Sequence, residues 1–336
     1  MRTVRVLAVE RTLRIGTLGT ARITPAALIR PARNCARASV VAVASRDASR
    51  ARAFADRHHI PRVHASYASL LADEDIDAVY IPLPNSLHAE WTLRALEAGK
   101  HVLCEKPFTA NAKEAEQVAD AAYRAGVVVM EAFHYRYHPL AQRMVEVVRS
   151  GEIGRVEHIE ASLCFPLPRF SDIRYRYDLA GGALMDAGCY AVHMARTLGG
   201  EEPQVRWAAA KRRDHLVDRA MTAELTFPGG HAARVRASLW SSSLLRVGVR
   251  VVGDAGELRV FNPVGPQHFH RFVVRSPFGR HHERFPRRPT YEYQLEAFCD
   301  AALEGRPILT PPSDSVANMR VIDAIYDAAG LPRRGA

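Results

Sequence analysis

The apolar positions of this chain change their period near residue 137. From Leu13 to Met130, short apolar runs alternate with stretches whose apolar residues recur every three or four positions, which predicts strand and helix in turn. The runs 13–18, 40–44, 78–83, 102–104 and 127–130 read as strands. The stretches 22–29, 48–58, 67–72, 86–98 and 112–125 read as helices, with Asp47 capping the second and Gly126 ending the last. Such alternation builds a parallel sheet covered on both faces, a doubly wound Rossmann-type layout. After one more amphipathic helix, 139–149, strand-like runs dominate: 156–163, 205–211, 220–227, 232–239, 246–252, 257–261 and 269–275. Gly229-Gly230 and Gly253-Asp254-Ala255-Gly256 mark hairpins. A helix over 182–198 interrupts the strands, and helices over 291–303 and 313–329 close the chain. This half reads as an α+β domain with an open, mostly antiparallel sheet. The expected division is 13–135 and 136–331.

Length and composition fit this layout. A chain of 336 residues, 48% hydrophobic and 24% charged, can bury the cores of two ordinary domains. No apolar run approaches the ~18 residues of a membrane span. The segment 1–12 has too short an apolar stretch for a signal peptide and reads as a loose extension, so the cytoplasm is the expected location. Cys35, Cys104, Cys164, Cys189 and Cys299 are scattered, with no CxxC and no zinc-like spacing. Reduced thiols and no metal are expected. Net charge is +10, and only Lys100, Lys106, Lys113 and Lys211 among the 46 basic residues are lysines. The densest basic stretch, 270–288, holds Arg271, Arg275, Arg280, Arg284, Arg287 and Arg288. It lacks a groove-reading motif, so a solvated loop or an anionic-ligand rim is expected ahead of nucleic acid.

Four blocks carry candidate chemistry. In 98–107, Gly99 suits a helix C-cap, Val102 to Cys104 a buried strand, and Glu105-Lys106 then lie at a strand's carboxyl end, where open α/β sheets bind ligands. Lys106, held by Pro107, can contact a substrate hydroxyl and a cofactor ribose; the alternative is a surface Glu-Lys pair. Strand one runs through Gly16 into Gly19, Thr20, Ala21, Arg22 and Ile23. Small residues there let a pyrophosphate approach the backbone at a helix start, although only Gly19 survives of a strict GxGxxG frame read from that residue. Strand two ends in Ser45-Arg46-Asp47. A hydroxyl beside a guanidinium suits a 2′-phosphate, which favours NADP over NAD; the alternatives are a surface arginine and an Asp47 that reaches the ribose instead of capping. Pro82, Leu83 and Pro84 form a rigid loop leading to Asn85, which can position the nicotinamide ribose or carboxamide, and to His88, which lines the same cleft or serves the structure. In 180–193, Asp186, Tyr190 and His193 are spaced i, i+4, i+7 on one helix face, as a cleft wall or a buried packing trio.

These blocks resemble the Gfo/Idh/MocA family of oxidoreductases over residues 13–331. The resemblance rests on 16–21, 45–47, 84–88, 98–107, Glu131-Ala132-Phe133 and 181–193, with Ala98-Gly99-Lys100-His101-Val102 and Glu105-Lys106-Pro107 the most specific. It departs from the family's glycine pattern at Ala21 and Thr24. It implies that Lys106 is catalytic or orienting. Tyr190 stands where the family often has histidine, which is similar to the branch of glucose-fructose oxidoreductase, NADP-xylose dehydrogenase and dimeric dihydrodiol dehydrogenase. The stretch 131–139 is similar to the same branch. The implied reaction moves a hydride between NADP and a sugar, polyol or dihydrodiol hydroxyl. Tyr190 would be the acid/base, its phenol lowered by Lys106, with Asp186 on substrate hydroxyls, His193 as a further substrate contact, and Arg174, Tyr175 and Arg176 at the rim of the pocket. Two alternatives stay open: a glycosidase that retains its cofactor, and a non-catalytic dinucleotide-binding regulator. The uncovered sheet face implies a homodimer or homotetramer.

Overall fold

The computed structural model describes residues 11–243 and 245–335. All but the last two residues of the expected N-terminal extension lie outside them. Six parallel strands, β1 (Leu13–Leu18), β2 (Ala38–Ala44), β3 (Arg62–His64), β4 (Ala78–Ile81), β5 (His101–Cys104) and β6 (Val129–Glu131), form a sheet in the order β3-β2-β1-β4-β5-β6. The edge strand β3 has no counterpart in the expected pattern, because Arg62-Val63-His64 is only three residues long and leaves Val63 exposed. The order reverses between β1 and β4, and a crevice opens there at the strands' carboxyl ends.

The helices of this half are α1 (Arg30–Arg33), α2 (Ala48–His58), α3 (Tyr67–Leu71), α4 (His88–Glu97) and α5 (Ala112–Ala125). Asp47 caps α2 by accepting from the Arg50 N–H at 3.0 Å, and Gly126 ends α5 at φ +65°. The helix expected from Arg22 begins later, at Pro25, with a wide turn of π type (Pro25–Ile29) that runs into α1. Thr20 to Ile23 therefore remain an open loop.

After α6 (Pro139–Arg149) comes an eight-stranded sheet: β7 (Val156–Cys164), β8 (Gln204–Arg212), β9 (Asp218–Thr226), β10 (Ala232–Ser238), β11 (Arg246–Gly253), β12 (Gly256–Phe261), β13 (Arg271–Ser276) and β14 (Gly279–Glu283). The order is β14-β13-β12-β11-β7-β10-β9-β8; β7 and β10 run parallel, and every other described pair is antiparallel. Alternation sets its faces. Ile159, Ala161, Val235, Val249 and Val251 are buried beneath α7 (Cys189–Gly199) and its neighbours. Glu160, Arg234, Arg236, Arg250 and Arg259 sit on the open face. The basic stretch 270–288 is thus no simple loop: Phe272 and Val274 point into the core, Arg275 pairs in register with Arg280 across the β13–β14 hairpin, and Arg288 pairs with Glu292 at 2.9 Å.

The chain then returns to the first sheet. Leu295, Phe298 and Cys299 of α8 (Thr290–Glu304) pack with Leu13, Ile15, Tyr80, Leu103 and Met130. The last helix, α9 (Pro312–Ala328), lies against α5 and α7. The helix α9 touches both β6 of the first sheet and β8 of the second, and a cleft opens between the two halves. Among the described residues no helix is long and apolar enough to cross a membrane.

Candidate active site

A cleft of about 880 Å³ lies over the carboxyl ends of β1, β4 and β5 and is closed by the second domain. Thr20, Ala21, Arg22, Ile23, Pro82, Leu83, Asn85, Glu105, Lys106, Arg174, Asp186 and Tyr190 line it, so most of the expected residues converge. At one end, Gly19 turns the chain at φ +103°, which a side chain would strain. Among the described residues, no acceptor in the protein meets the backbone N–H groups of Thr20 to Ile23. An open set of donors at a helix start is what a pyrophosphate requires. Ser45, buried, and Arg46, exposed, close β2 beside it, and Arg50 from the first turn of α2 lines the cleft wall. With Asp47 committed to capping, the strand end offers a hydroxyl and two guanidinium groups. These residues fit an NADP molecule.

At the other end, Lys106 Nζ donates to the Asp186 carbonyl at 2.9 Å and to its Oδ1 at 3.1 Å, while Arg174 Nε lies 3.2 Å from Asp186 Oδ2. Burial alone would lower the Lys106 ammonium, but Asp186, Cys189 and Glu105 together outweigh it and Lys106 titrates above its ordinary value. Burial would raise Asp186, yet Lys106 and Arg174 hold it below the usual carboxylate range. The site thus holds a fixed cation and a fixed anion. The Lys106–Pro107 peptide is cis. Lys106 Nζ stands 5.1 Å above the centre of the Tyr190 ring rather than at its hydroxyl. The expected lowering of the phenol does not occur in this arrangement: burial raises Tyr190 well above its ordinary value. Its hydroxyl lies 3.2 Å from His134 Nε2.

Several expected residues lie elsewhere. Gly16 is inside β1, against Leu70 and Ile76, and does not reach the cleft. His88 is fully buried, 2.8 Å from the carbonyls of both Pro107 and Leu83; it braces the two loops that line the cleft instead of lining it. Tyr175 is buried and donates to the Leu167 carbonyl at 2.8 Å. His193 is 1% exposed, stacked on Phe133, with its ring nitrogens at Tyr135 Oη (2.5 Å) and Asp314 Oδ2 (2.9 Å). Helical spacing put it on one stripe with Asp186 and Tyr190, but Phe133, Tyr135 and α9 cover that end. Asn85 lines the cleft while donating across the domains to the Ala180 carbonyl at 3.0 Å. Glu105 accepts from the buried Tyr80 hydroxyl at 2.7 Å.

Conversely, Arg50, His134, Asp172, Gln267, His268 and Tyr291 line the cleft without having been expected there. His134 lay inside a noted motif, 131–139. The others come from a helix turn and long-range returns of the chain and carry no local signal.

A doubly wound dinucleotide domain, a covering, mostly antiparallel sheet and a lysine–carboxylate–tyrosine cluster between them define a two-domain oxidoreductase. Residues 13–133 match the oxidoreductase family GFO_IDH_MocA, with its NAD-binding Rossmann fold, and residues 141–259 match the GFO/IDH/MocA C-terminal domain. The chain belongs to the Gfo/Idh/MocA family. It is 41% identical over 315 residues to D-xylose 1-dehydrogenase (NADP(+)) 2 of Haloferax volcanii, covering 94% of this chain and 96% of that one. It is 36% identical to dTDP-3,4-didehydro-2,6-dideoxy-alpha-D-glucose 3-reductase of Streptomyces violaceoruber, with 96% of each chain covered. Among solved structures, the 3-ketoreductase of Actinomadura kijaniata with NADP and TDP-benzene superposes with a TM-score of 0.86 at 30% identity, covering 95% of this chain and 98% of that one. The aldose-aldose oxidoreductase of Caulobacter crescentus with glycerol superposes with a TM-score of 0.87 at 26% identity, with the same coverage.

Proposed function

We propose that this protein is an NADP-dependent cytoplasmic dehydrogenase or reductase that interconverts a CH–OH and a C=O group of a sugar, polyol or dihydrodiol, with Lys106 and Tyr190 as its catalytic pair. The observation that carries this reading is the meeting of Lys106, Asp186 and Tyr190 on one wall of a cleft whose other end fits a dinucleotide. Thr20 to Ile23 would hold the pyrophosphate, and Ser45, Arg46 and Arg50 the 2′-phosphate. When bound, the nicotinamide supplies or accepts the hydride.

The protein's own groups do the rest. Tyr190, kept protonated by burial, donates its proton to the substrate oxygen in the reduction direction and recovers it in oxidation. Lys106, its charge fixed by Asp186, holds the oxygen as negative charge develops there. Asp186 and Arg174 orient neighbouring substrate hydroxyls. Five unpaired cysteines, four of them buried, suit a reducing compartment. A second copy of this chain would cover the open sheet face, where exposed Trp207 and Phe261 lie among Arg–Glu pairs such as Arg250–Glu160. Light scattering at the mass of a dimer or tetramer is expected, and a monomer would overturn that part.

The test is absorbance at 340 nm with NADP or NAD and a panel of aldoses, inositols and diols, beginning with D-xylose. NADPH should accumulate with one substrate class. Arg46→Ala and Arg50→Ala should each raise KM for NADP about tenfold or more, the loss of one charge-assisted hydrogen bond, while leaving KM for NAD unchanged. Tight cofactor binding with no absorbance change across the panel would overturn the dehydrogenase reading in favour of a retained-cofactor glycosidase or a regulator.

A further inference from the structure

His134 sits behind Tyr190 at the floor of the cleft, on the short turn His134–Tyr137 that follows β6. Its ring is buried and lies 4.1 Å from the Tyr291 ring. Burial, helped by the Lys106 charge, pushes it down to about 3, so it is neutral at any working pH and owns one N–H. Nδ1 is 2.7 Å from Thr290 Oγ1 and Nε2 is 3.2 Å from the Tyr190 hydroxyl.

One proton between two hydroxyls allows two arrangements. In the first, Nδ1–H donates to Thr290 and the phenol donates to Nε2; the phenol proton then points into the protein. In the second, the Thr290 hydroxyl donates to Nδ1, and Nε2–H donates to the Tyr190 oxygen. Only the second leaves the phenol proton free to face the cleft, and only it supplies a donor to the oxygen once that proton has gone. Thr290 is fully buried, and among the described residues its hydroxyl bonds nothing else, so it is free to donate.

We infer that His134 is a positioning residue for Tyr190, with Thr290 selecting the tautomer in which Nε2–H donates to the phenol oxygen and holds the phenolate. The inference rests on the reading of Tyr190 as acid/base. In the reduction direction the Tyr190 O–H bond breaks, the proton joins the substrate oxygen, and the electron pair stays on the phenol oxygen, facing Nε2–H. Oxidation reverses each transfer. The other titratable groups facing Tyr190 are Tyr291 on α8, Glu105 and Lys106 at the end of β5, Asp186 and Cys189 on its own segment, and Tyr135 beside His134. None of these donates to its hydroxyl.

The pH profile of kcat in the oxidation direction, which needs the phenolate, tests this. His134→Phe keeps a ring against Tyr291 but removes the donor. Its rising limb should move up by about one pH unit, a roughly tenfold loss at pH 7.5 that is recovered at high pH, with KM for NADP unchanged. Thr290→Val should shift the limb in the same direction by less, and it decides the matter should His134→Phe not fold. An unmoved midpoint, with kcat lowered equally at every pH, means a structural role only and overturns the inference. Tyr190→Phe, measured alongside, separates the two readings: if it keeps its activity and its rising limb, the acid/base reading has failed rather than the histidine's part in it.

Discussion

Tyr190→Phe is expected to lower kcat by about 10²- to 10⁴-fold, the usual contribution of a positioned general acid. The phenyl ring keeps the edge-to-face packing on Phe133, whose centre lies 5.3 Å away, so the fold should survive. Because the proton moves only in the transition state, kcat and kcat/KM should fall together. Lys106→Ala should cost a similar factor by removing the cation proposed to hold the developing alkoxide. It also leaves the partly buried Asp186 with Arg174 as its remaining partner, so a lower melting temperature is expected for this variant and not for Tyr190→Phe. Binding of NADPH, followed by its fluorescence, should persist in both, because the residues proposed to face its phosphates lie at the other end of the cleft. Near-normal turnover in both variants would sink the catalytic assignment.

Arg334→Met is expected to destabilise the protein by about 3–5 kcal/mol, the cost of leaving a buried charge without its partner. Arg334 is 0% exposed, and its guanidinium lies 2.9 Å from an equally buried Asp218. Its Nε donates to the Gly181 carbonyl at 2.6 Å, and its carbon centre lies 4.1 Å over the Tyr326 ring. Asp218 in turn accepts from the Leu184 N–H at 2.7 Å and from the Tyr326 hydroxyl at 3.0 Å. Burial still leaves the Asp218 carboxyl above its ordinary value despite the neighbouring cation. Gly182, at φ +142°, passes so close that a Cβ there would lie 2.3 Å from Asp218 Oδ1. The cluster therefore clamps the backbone that enters the turn Leu184–Gly188, which carries Asp186 and leads to Tyr190. Thermal denaturation should show a midpoint lower by roughly 10 °C. Adding Asp218→Asn to Arg334→Met should recover part of the loss, because it removes the orphaned charge; fully additive losses would mean that the pair does not couple.

The alternation of apolar runs gave the Rossmann order almost complete, because each buried parallel strand is a short apolar block and each covering helix an amphipathic one. The strand β1 and the helices α2, α5 and α6 have the expected bounds. What failed was short or out of pattern. β3 has no apolar run, and β14 is the polar sequence Gly-Arg-His-His-Glu held by pairing with β13. Helix starts were misplaced where a π-type turn widens the coil, at Pro25 and Leu184, since periodicity assumes a constant pitch.

The same division runs through the site. Local chemistry is written in sequence: a glycine turn after β1, a hydroxyl and a guanidinium at the end of β2, a lysine stopped by proline after β5, and an aspartate four residues before a tyrosine. Those features alone predict a dinucleotide at the strand ends beside the lysine, and they point to the family. Which side chains share a cavity is a property of distance in space. His88 and His193 read as cleft residues, yet His88 is packed between the carbonyls of Leu83 and Pro107, and His193 is held by Tyr135 and Asp314, both far along the chain. His134 meets Tyr190 only because β6 and α7 are brought together, and meets Thr290 only because α8 returns across the first sheet. Burial, which keeps the Tyr190 phenol protonated where a nearby lysine alone would lower it, likewise exists only once the two domains have closed over the ring.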